Sequence, residues 1–325
     1  MADTSLNTGS SKVIKLEDTY WKRTWKTIVA QKQLIFMSFP LLIYILIFNY
    51  GPLWGWLMAF QDYRPGGGRG IFDQKWVGFK HFQFLFTDDS FVRVLRNTIA
   101  MSLINIVLSF ATAIILALLL NELKNVFFKR IVQTISYLPY FISWVIACSI
   151  VYQVLSPENG IINILLMKLH IIQEPITWLG EGSYFWGIYG ISNVWKNVGF
   201  NAIIYLGAMA AIDPNLYEAA NIDGAGRFQK MIHITLPGIK ATFVVLLIMN
   251  IANVLNAGFE FQYLLQNGSN IEWSETIDVF ALRYGMNMAN FSLATAAGMF
   301  KTVVSLCMLF LANTIAKKLG ESRLI

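Results

Sequence analysis

Long apolar runs separated by polar stretches rich in Lys, Arg, Gly and Pro make up most of this 325-residue chain. The first, Gln33 to Phe60, has 28 residues without a charge. It exceeds the short apolar core of a cleavable signal peptide and so predicts a retained membrane span. Pro40 and Pro52 kink that span or mark its ends. Asn97 to Asn121 gives a second span, and Ile131 to Pro157 a third with a bend at Leu138-Pro139. Tyr184 to Ile212 gives the fourth and contains Lys196; Gly238 to Phe259 gives the fifth. Ser292 to Ala316 gives the sixth, with Lys301 inside it.

The stretches between the runs carry their own signals. Residues 1–32 open with a Ser/Thr/Asn-rich run that predicts disorder. Tyr20, Trp21 and Trp25, interleaved with Lys22, Arg23, Lys26 and Lys32, predict an amphipathic segment on the inner leaflet. Pro65-Gly66-Gly67-Gly68 predicts a turn in the first outer loop. Phe79, Phe82, Leu85 and Phe86 recur at helical spacing, which predicts a short helix in the outer interface. Asp88, Asp89 or Ser90 caps the helix leading into the second span.

Charge then orients the spans. With the N-terminus inside, 15 of the 25 Lys and Arg residues fall on the cytoplasmic side and 8 outside. Six of those 8 crowd into the first outer loop, an exception to an otherwise consistent bias. Only 14% of the residues are charged and 56% are hydrophobic, whereas a soluble domain carries about 25% charged residues. The net charge of +6 is scattered beside the spans, so it reads as membrane orientation and implies no nucleic-acid partner. Cys148 and Cys307 lie in apolar segments without ligand spacing and read as small buried residues, implying neither disulfide nor metal.

No glycine-rich phosphate loop ending in Gly-Lys-Ser or Gly-Lys-Thr occurs, nor a paired His/Glu zinc motif or a nucleophile elbow. Catalytic residues are therefore not expected in this chain, and no cofactor is expected on it. The polar stretch Glu218 to Pro237, EAANIDGAGRFQKMIHITLP, sits instead between the fourth and fifth runs. Asp213 and Pro214 supply a cap and an N1 proline, and Glu218-Ala219-Ala220 favours helix. Gly224 and Gly226 break it where the backbone turns. Helix resumes from Phe228 to Ile234, and Pro237 suits the first turn of the next span.

The spacing from Glu218-Ala219-Ala220 through Asp223-Gly224 to Ile234 and Leu236-Pro237 resembles the loop of permease subunits in binding-protein-dependent, ATP-driven importers. Asn49-Tyr50-Gly51-Pro52, the stretch from Phe128-Lys129-Arg130 to Tyr137-Leu138-Pro139, and Phe141-Ile142-Ser143-Trp144 resemble the branch for polymer-derived sugars such as alginate or pectic oligosaccharides. The resemblance, covering roughly residue 30 onward, implies an all-α membrane protein of type I ABC importer fold. It would have six transmembrane helices and a cytoplasmic two-helix coupling loop. Its divisions would be a cytoplasmic segment 1–32, a first helix 33–60, an external loop 61–96, a core 97–316 with coupling loop 213–237, and a tail 317–325. Glu218, Ala219, Ala220, Asp223, Gly224, Ile234, Leu236 and Pro237 would form the ATPase-coupling site.

The same resemblance implies partners: a second, homologous permease, two cytoplasmic ATPases that hold the ATP and Mg, and an external or periplasmic solute-binding protein. The setting would be a bacterial cytoplasmic membrane with both termini inside, and the cargo an oligosaccharide, an acidic, polymer-derived one being the expected choice. A self-powered secondary carrier and a membrane-embedded enzyme are the rival readings. Against the first stand the coupling motif and the lack of paired midplane acids; the second needs a His or carboxylate cluster that the spans lack.

Polar residues inside spans are the candidates for a substrate path, because hydrocarbon penalises them unless they find partners. The fourth span reads Asn193-Val194-Trp195-Lys196-Asn197-Val198-Gly199-Phe200-Asn201, similar to a Trp-Lys-x-x-Gly-Phe stretch in sugar permeases. Trp195, Lys196, Asn197, Asn201 and Tyr205 are the path candidates there. Asn250, Asn253 and Asn256 form a stripe on the fifth span that reads first as glue between helices; Asn250 and Asn253 join the path candidates. Lys196 sits near mid-membrane and needs water, carbonyls or an anion; a water-filled cavity facing the cargo meets that need. Gly199, Gly207, Ala208, Ala210 and Ala211 let helices approach closely.

Overall fold

A computed structural model describes residue 25, residues 28–66 and residues 70–318. The expected segment around Tyr20, Trp21, Lys22, Arg23 and Lys26, the Gly67-Gly68 part of the predicted turn, and the tail beyond Lys318 lie outside the described residues. The chain divides into two units, Met1–Gly55 and Trp56–Ile325.

The first unit carries α1, Lys32–Ile45, which holds Pro40 within it and buries none of its side chains. A π-helical turn, Leu46–Tyr50, follows. From Gly51 to Phe60 the helix tightens to 3-10 geometry, with Pro52 at the change. A proline lacks the N–H that a regular α-helical ladder needs, so the hydrogen-bond spacing shifts around it.

The second unit begins at Trp56, within that 3-10 helix, and after Phe60 has two short antiparallel strands, β1 Gln61–Asp62 and β2 Lys75–Trp76, in the register Gln61 opposite Trp76. This ladder is a small addition to a mostly helical chain, and two-residue strands carry no periodic signal in the sequence. The helix expected around Phe82 is α2, Lys80–Thr87, with Leu85 fully buried. Asp88 caps α3, Asp89–Glu122, by accepting from the Ser90 N–H at 2.8 Å.

The remaining helices are α4 Val126–Tyr137, α5 Trp144–Val154, α6 Ile161–Lys168 and α7 Phe185–Ala210. Then come α8 Pro214–Ile222, α9 Arg227–Lys230, α10 Lys240–Ala252 and α11 Glu260–Leu265. The chain ends in α12 Ile271–Ser274, α13 Ile277–Leu282 and α14 Phe291–Lys318. Among the described residues, three helical runs are long and apolar enough to cross a membrane: Lys32–Phe60, Asp89–Glu122 and Phe291–Lys318. The number is five if each of two bent pairs counts as one span. The helix α7 has 26 residues, about 39 Å at ~1.5 Å per residue, and is not one of those three runs.

One expected span bends where predicted and another differs. The third breaks next to Leu138-Pro139, with 102° between Val126–Phe141 and Trp144–Val154. The fifth is short: α10 has 13 residues, about 20 Å at ~1.5 Å per residue, and makes 54° with the Arg227–Gly238 run before it. It ends at Ala252, so Asn253 and Asn256 do not continue a stripe on one helix. The Asn253 N–H bonds the Asn250 carbonyl and the Asn256 N–H the Asn253 carbonyl, a local turn that replaces the helical ladder.

The helix α3 runs through three apolar clusters. Phe91 and Val94 pack with Leu255, Ile277, Phe280 and Leu293; Met101 packs with Phe185, Tyr189 and Phe261; Ala113 and Ala117 pack with Ala202, Tyr205 and Met209. Cys148 is buried in the second of these, but Cys307 is exposed on α14 beside exposed Val303 and Phe310, against expectation. In a bilayer that face meets lipid or another chain, so an apolar neighbourhood in sequence does not require burial within the subunit. Gly207 likewise has no atom within 4 Å of where a Cβ would stand, so it is not a helix contact.

Candidate functional site

The Glu218 stretch folds as two short helices joined by a tight turn. Asp213 caps α8 by accepting from the Asn215 N–H at 3.0 Å, with Pro214 at the first helical position. The C-terminus of α8 closes in a paired motif: the Ala225 N–H reaches the Ala220 carbonyl at 2.8 Å and the Gly224 N–H reaches Asn221 at 3.2 Å. That geometry puts Gly224 at φ 76°, a conformation costly to any residue with a Cβ.

Gln229 then receives the Gly226 N–H at 2.7 Å and starts α9. Lys230 donates to Asn221 Oδ1 at 2.6 Å, tying the second helix to the first. Tyr217 OH and Thr235 Oγ1 meet at 2.9 Å and anchor α8 to the run that enters α10. Met231–Thr235 widens to a π-helical turn directly before Leu236 and Pro237, where the proline interrupts the ladder. Ala220, Asp223, Gly224 and Ile234 line one concavity of about 360 Å³, together with Lys230 and His233. Glu218, Ala219, Leu236 and Pro237 are exposed on the same element. So are Leu216, Ile222 and Phe228, Ile222 at 88% and Phe228 at 75%. Their spacing carried no signal in the sequence, because apolar residues in a polar stretch look like ordinary helix formers.

The Trp195–Phe200 stretch surrounds the break between α4 and α5. Pro139 sits in a 3-10 turn, Leu138–Phe141, and Ser143 restarts helix by accepting from the Ile146 N–H at 3.3 Å. Carbonyls around such a break lose regular helical partners. Lys196 takes them up: its ammonium donates to Pro139 at 3.3 Å, Tyr140 at 2.9 Å and Ile142 at 2.5 Å. The same Nζ stands 5.2 Å from the Trp144 ring centroid. Lys196 is buried, so carbonyls and aromatic faces meet the need that was expected to call for a water-filled cavity. A Cβ at Gly199 would stand 2.1 Å from the Ser136 carbonyl oxygen, so only glycine permits α7 to approach here. Phe200 stacks on Tyr140 at 4.0 Å and 4°.

The other path candidates fall in separate places. Asn201, Tyr205 and Asn250 line one small cavity of about 90 Å³, where Asn201 also donates to Ser109 Oγ at 2.8 Å. Asn197 donates along its own helix to Asn193. Trp195 lines an apolar cleft of about 520 Å³ with Ile150, Val154 and Ile191. Asn253 lines a groove of about 380 Å³ beside α14. Asn250 and Asn253 each donate to a carbonyl one turn back in their own chain segment, those of Leu246 and Met249.

A family model described as "binding-protein-dependent transport system inner membrane component" matches residues 109–321. The chain belongs to that family. This permease is 44% identical to the polygalacturonan/rhamnogalacturonan transport system permease protein YteP of Bacillus subtilis (strain 168), over 92% of each chain. It is 41% identical to protein LplB of the same organism, over 90% of this chain and 91% of that one. A chain from a bacterial ABC transporter involved in the import of the acidic polysaccharide alginate superposes with a TM-score of 0.84. It shares 38% identity, over 91% of this chain and 99% of that one. A chain from an alginate ABC transporter in complex with an alginate pentasaccharide-bound periplasmic protein gives 0.85 at 37% identity, over 93% and 100%. The permease is therefore a multi-pass membrane protein of the ABC importer class, and its role is transport.

Sequence reasoning missed one ion pair between a span and the segment before it. Lys301 of α14 donates to both carboxylate oxygens of Asp278 in α13, at 2.6 and 2.7 Å. Asp278 lies 23 residues earlier, beyond any helical spacing that would have linked the two.

Proposed function

We propose that this permease is one of two membrane subunits of an ATP-driven importer that carries acidic oligosaccharides derived from polymers. The exposed apolar face of the α8–α9 element carries the reading: Leu216, Ile222 and Phe228 stand in the open on a rigid, doubly tied turn. Large apolar side chains held that way suit a protein partner. That partner is the cytoplasmic ATPase, on which ATP and Mg are held; this chain has no phosphate-binding loop of its own.

Six spans then cross a bacterial cytoplasmic membrane with both termini inside: the α1 run, α3, the broken α4–α5 pair, α7, the α10 run and α14. Closure of the ATPases moves the α8–α9 element, and the spans rearrange from inward to outward facing. A solute-binding protein delivers cargo from outside. The acidic cargo follows from the named roles of the relatives, a polygalacturonan/rhamnogalacturonan permease and an alginate importer.

The test is co-purification in mild detergent after co-expression with the partner chains. Wild type should retain an ATPase and a second permease. Ile222→Asp with Phe228→Asp should release the ATPase and keep the second permease. Full retention of the ATPase by that variant would show that it docks elsewhere.

A further inference from the structure

Of the two lysines set deep within α7 and α14, Lys196 is enclosed by three backbone carbonyls, whereas Lys301 is held by a single carboxylate. Lys301 lies ten residues into α14, about 15 Å along the helix at ~1.5 Å per residue. Its side chain is 19% exposed and that of Asp278 28%, so the pair reaches open space. Charges at this depth face the bundle interior or a water-filled path, since hydrocarbon does not tolerate them. Thr302, next to Lys301 in the chain, and Ser305, one turn beyond it, line with Asn253 a mostly apolar groove between α10 and α14 that begins beside the pair and is completed by Met249, Leu306 and Leu309. Its volume of about 380 Å³ is within the range of ligand clefts, ~300–1,000 Å³.

We infer that Lys301 is a carboxylate-binding residue of the transport path, kept in reserve by Asp278 until an acidic sugar unit arrives. The inference rests on the acidic-cargo reading above and names the residue that recognises the acid. A uronate brings the same two oxygens and the same charge that Asp278 offers, so exchange at Nζ replaces one charge-assisted pair with an equivalent one. Asp278, already partly exposed, turns to water. A neutral sugar offers only hydroxyls, which do not match a carboxylate's charge, and the Lys301–Asp278 pair stays closed to it. Lys196 is unsuited to this exchange, because its release would take the ammonium donor from the Tyr140 and Ile142 carbonyls at a helix break.

The experiment uses the complete transporter in proteoliposomes with saturating binding protein. It compares trigalacturonate with the carboxyl-reduced trisaccharide of the same linkage, by uptake and by ATPase stimulation. The binding protein is the same in every arm, so a change in the acid-to-neutral ratio belongs to the permease. Lys301→Met should lower that ratio about tenfold, the loss of one charge-assisted contact, with uptake of the neutral sugar unchanged. Lys301→Met with Asp278→Asn removes both charges and should do the same without leaving a lone carboxylate. The exchange Lys301→Asp with Asp278→Lys keeps an ion pair between the helices and should also lower the ratio. An unchanged ratio in all three variants would make the pair a staple between α13 and α14 and overturn the inference. A wild type that takes both trisaccharides equally would overturn the acidic-cargo reading itself, and the inference with it.

Discussion

Lys196→Met tests whether the Trp195–Phe200 stretch holds the broken helix together. Methionine keeps the length of the side chain but removes the ammonium that donates to Pro139, Tyr140 and Ile142. A hydrogen bond from a charged group is worth about 1.5–3 kcal/mol, so three contribute about 4.5–9 kcal/mol. Against that, burying the ammonium costs at least ~2.5 kcal/mol, which methionine saves. The difference leaves a destabilisation of about 2–6 kcal/mol. At roughly 2 °C or more per kcal/mol, melting in detergent should fall by ~4 °C or more. Uptake should fall for acidic and neutral oligosaccharides alike, because the defect lies in the angle between α4 and α5. The assay pairs a thermal melt of the purified complex with uptake of both trisaccharides in proteoliposomes. Unchanged melting with a loss confined to the acidic sugar would refute the structural role and place Lys196 on the cargo path.

Other outcomes follow from single contacts. Gly224→Val should meet no atom, since nothing lies within 4 Å of its Cβ position, yet cost about 1–2 kcal/mol in backbone strain at φ 76°. Combined with Glu218→Ala, it should leave membrane insertion intact and abolish sugar-stimulated ATP hydrolysis; wild-type coupling would show that the turn transmits no movement. Gly199→Leu should prevent α7 from approaching Ser136 and lower the yield of folded complex, whereas Gly207→Leu, with open space around it, should not. Equal yields for the two would contradict the packing argument. A cysteine at Glu272 should react with an impermeant thiol reagent applied outside while one at Lys230 stays protected; the reverse pattern would invert the orientation.

Local chemistry was enough for much of this protein. Apolar runs of twenty residues or more mark helices that water would not accept, and their flanking polar residues bound them. Asp88 as a cap, Pro139 as a breaker and Gly224 as a turn each act on atoms within a few residues, so their effects follow from neighbours in the chain. The two-helix stretch from Pro214 to Gly238 was legible for the same reason.

What only the tertiary structure decided depends on partners far apart in sequence. A proline at 139 predicts a bend, but the 102° break also depends on Lys196, Gly199 and Phe200 of α7, which supply a donor, a gap and a stacking face. Lys196 and Lys301 look alike in the sequence, each a lone cation in an apolar run. One meets carbonyls and the other a carboxylate, because α7 packs on a helix break and α14 packs on α13. Periodicity records which residues share a face of one helix. Which groups that face meets is set by how the helices pack, and an ammonium's role follows from the oxygens it meets.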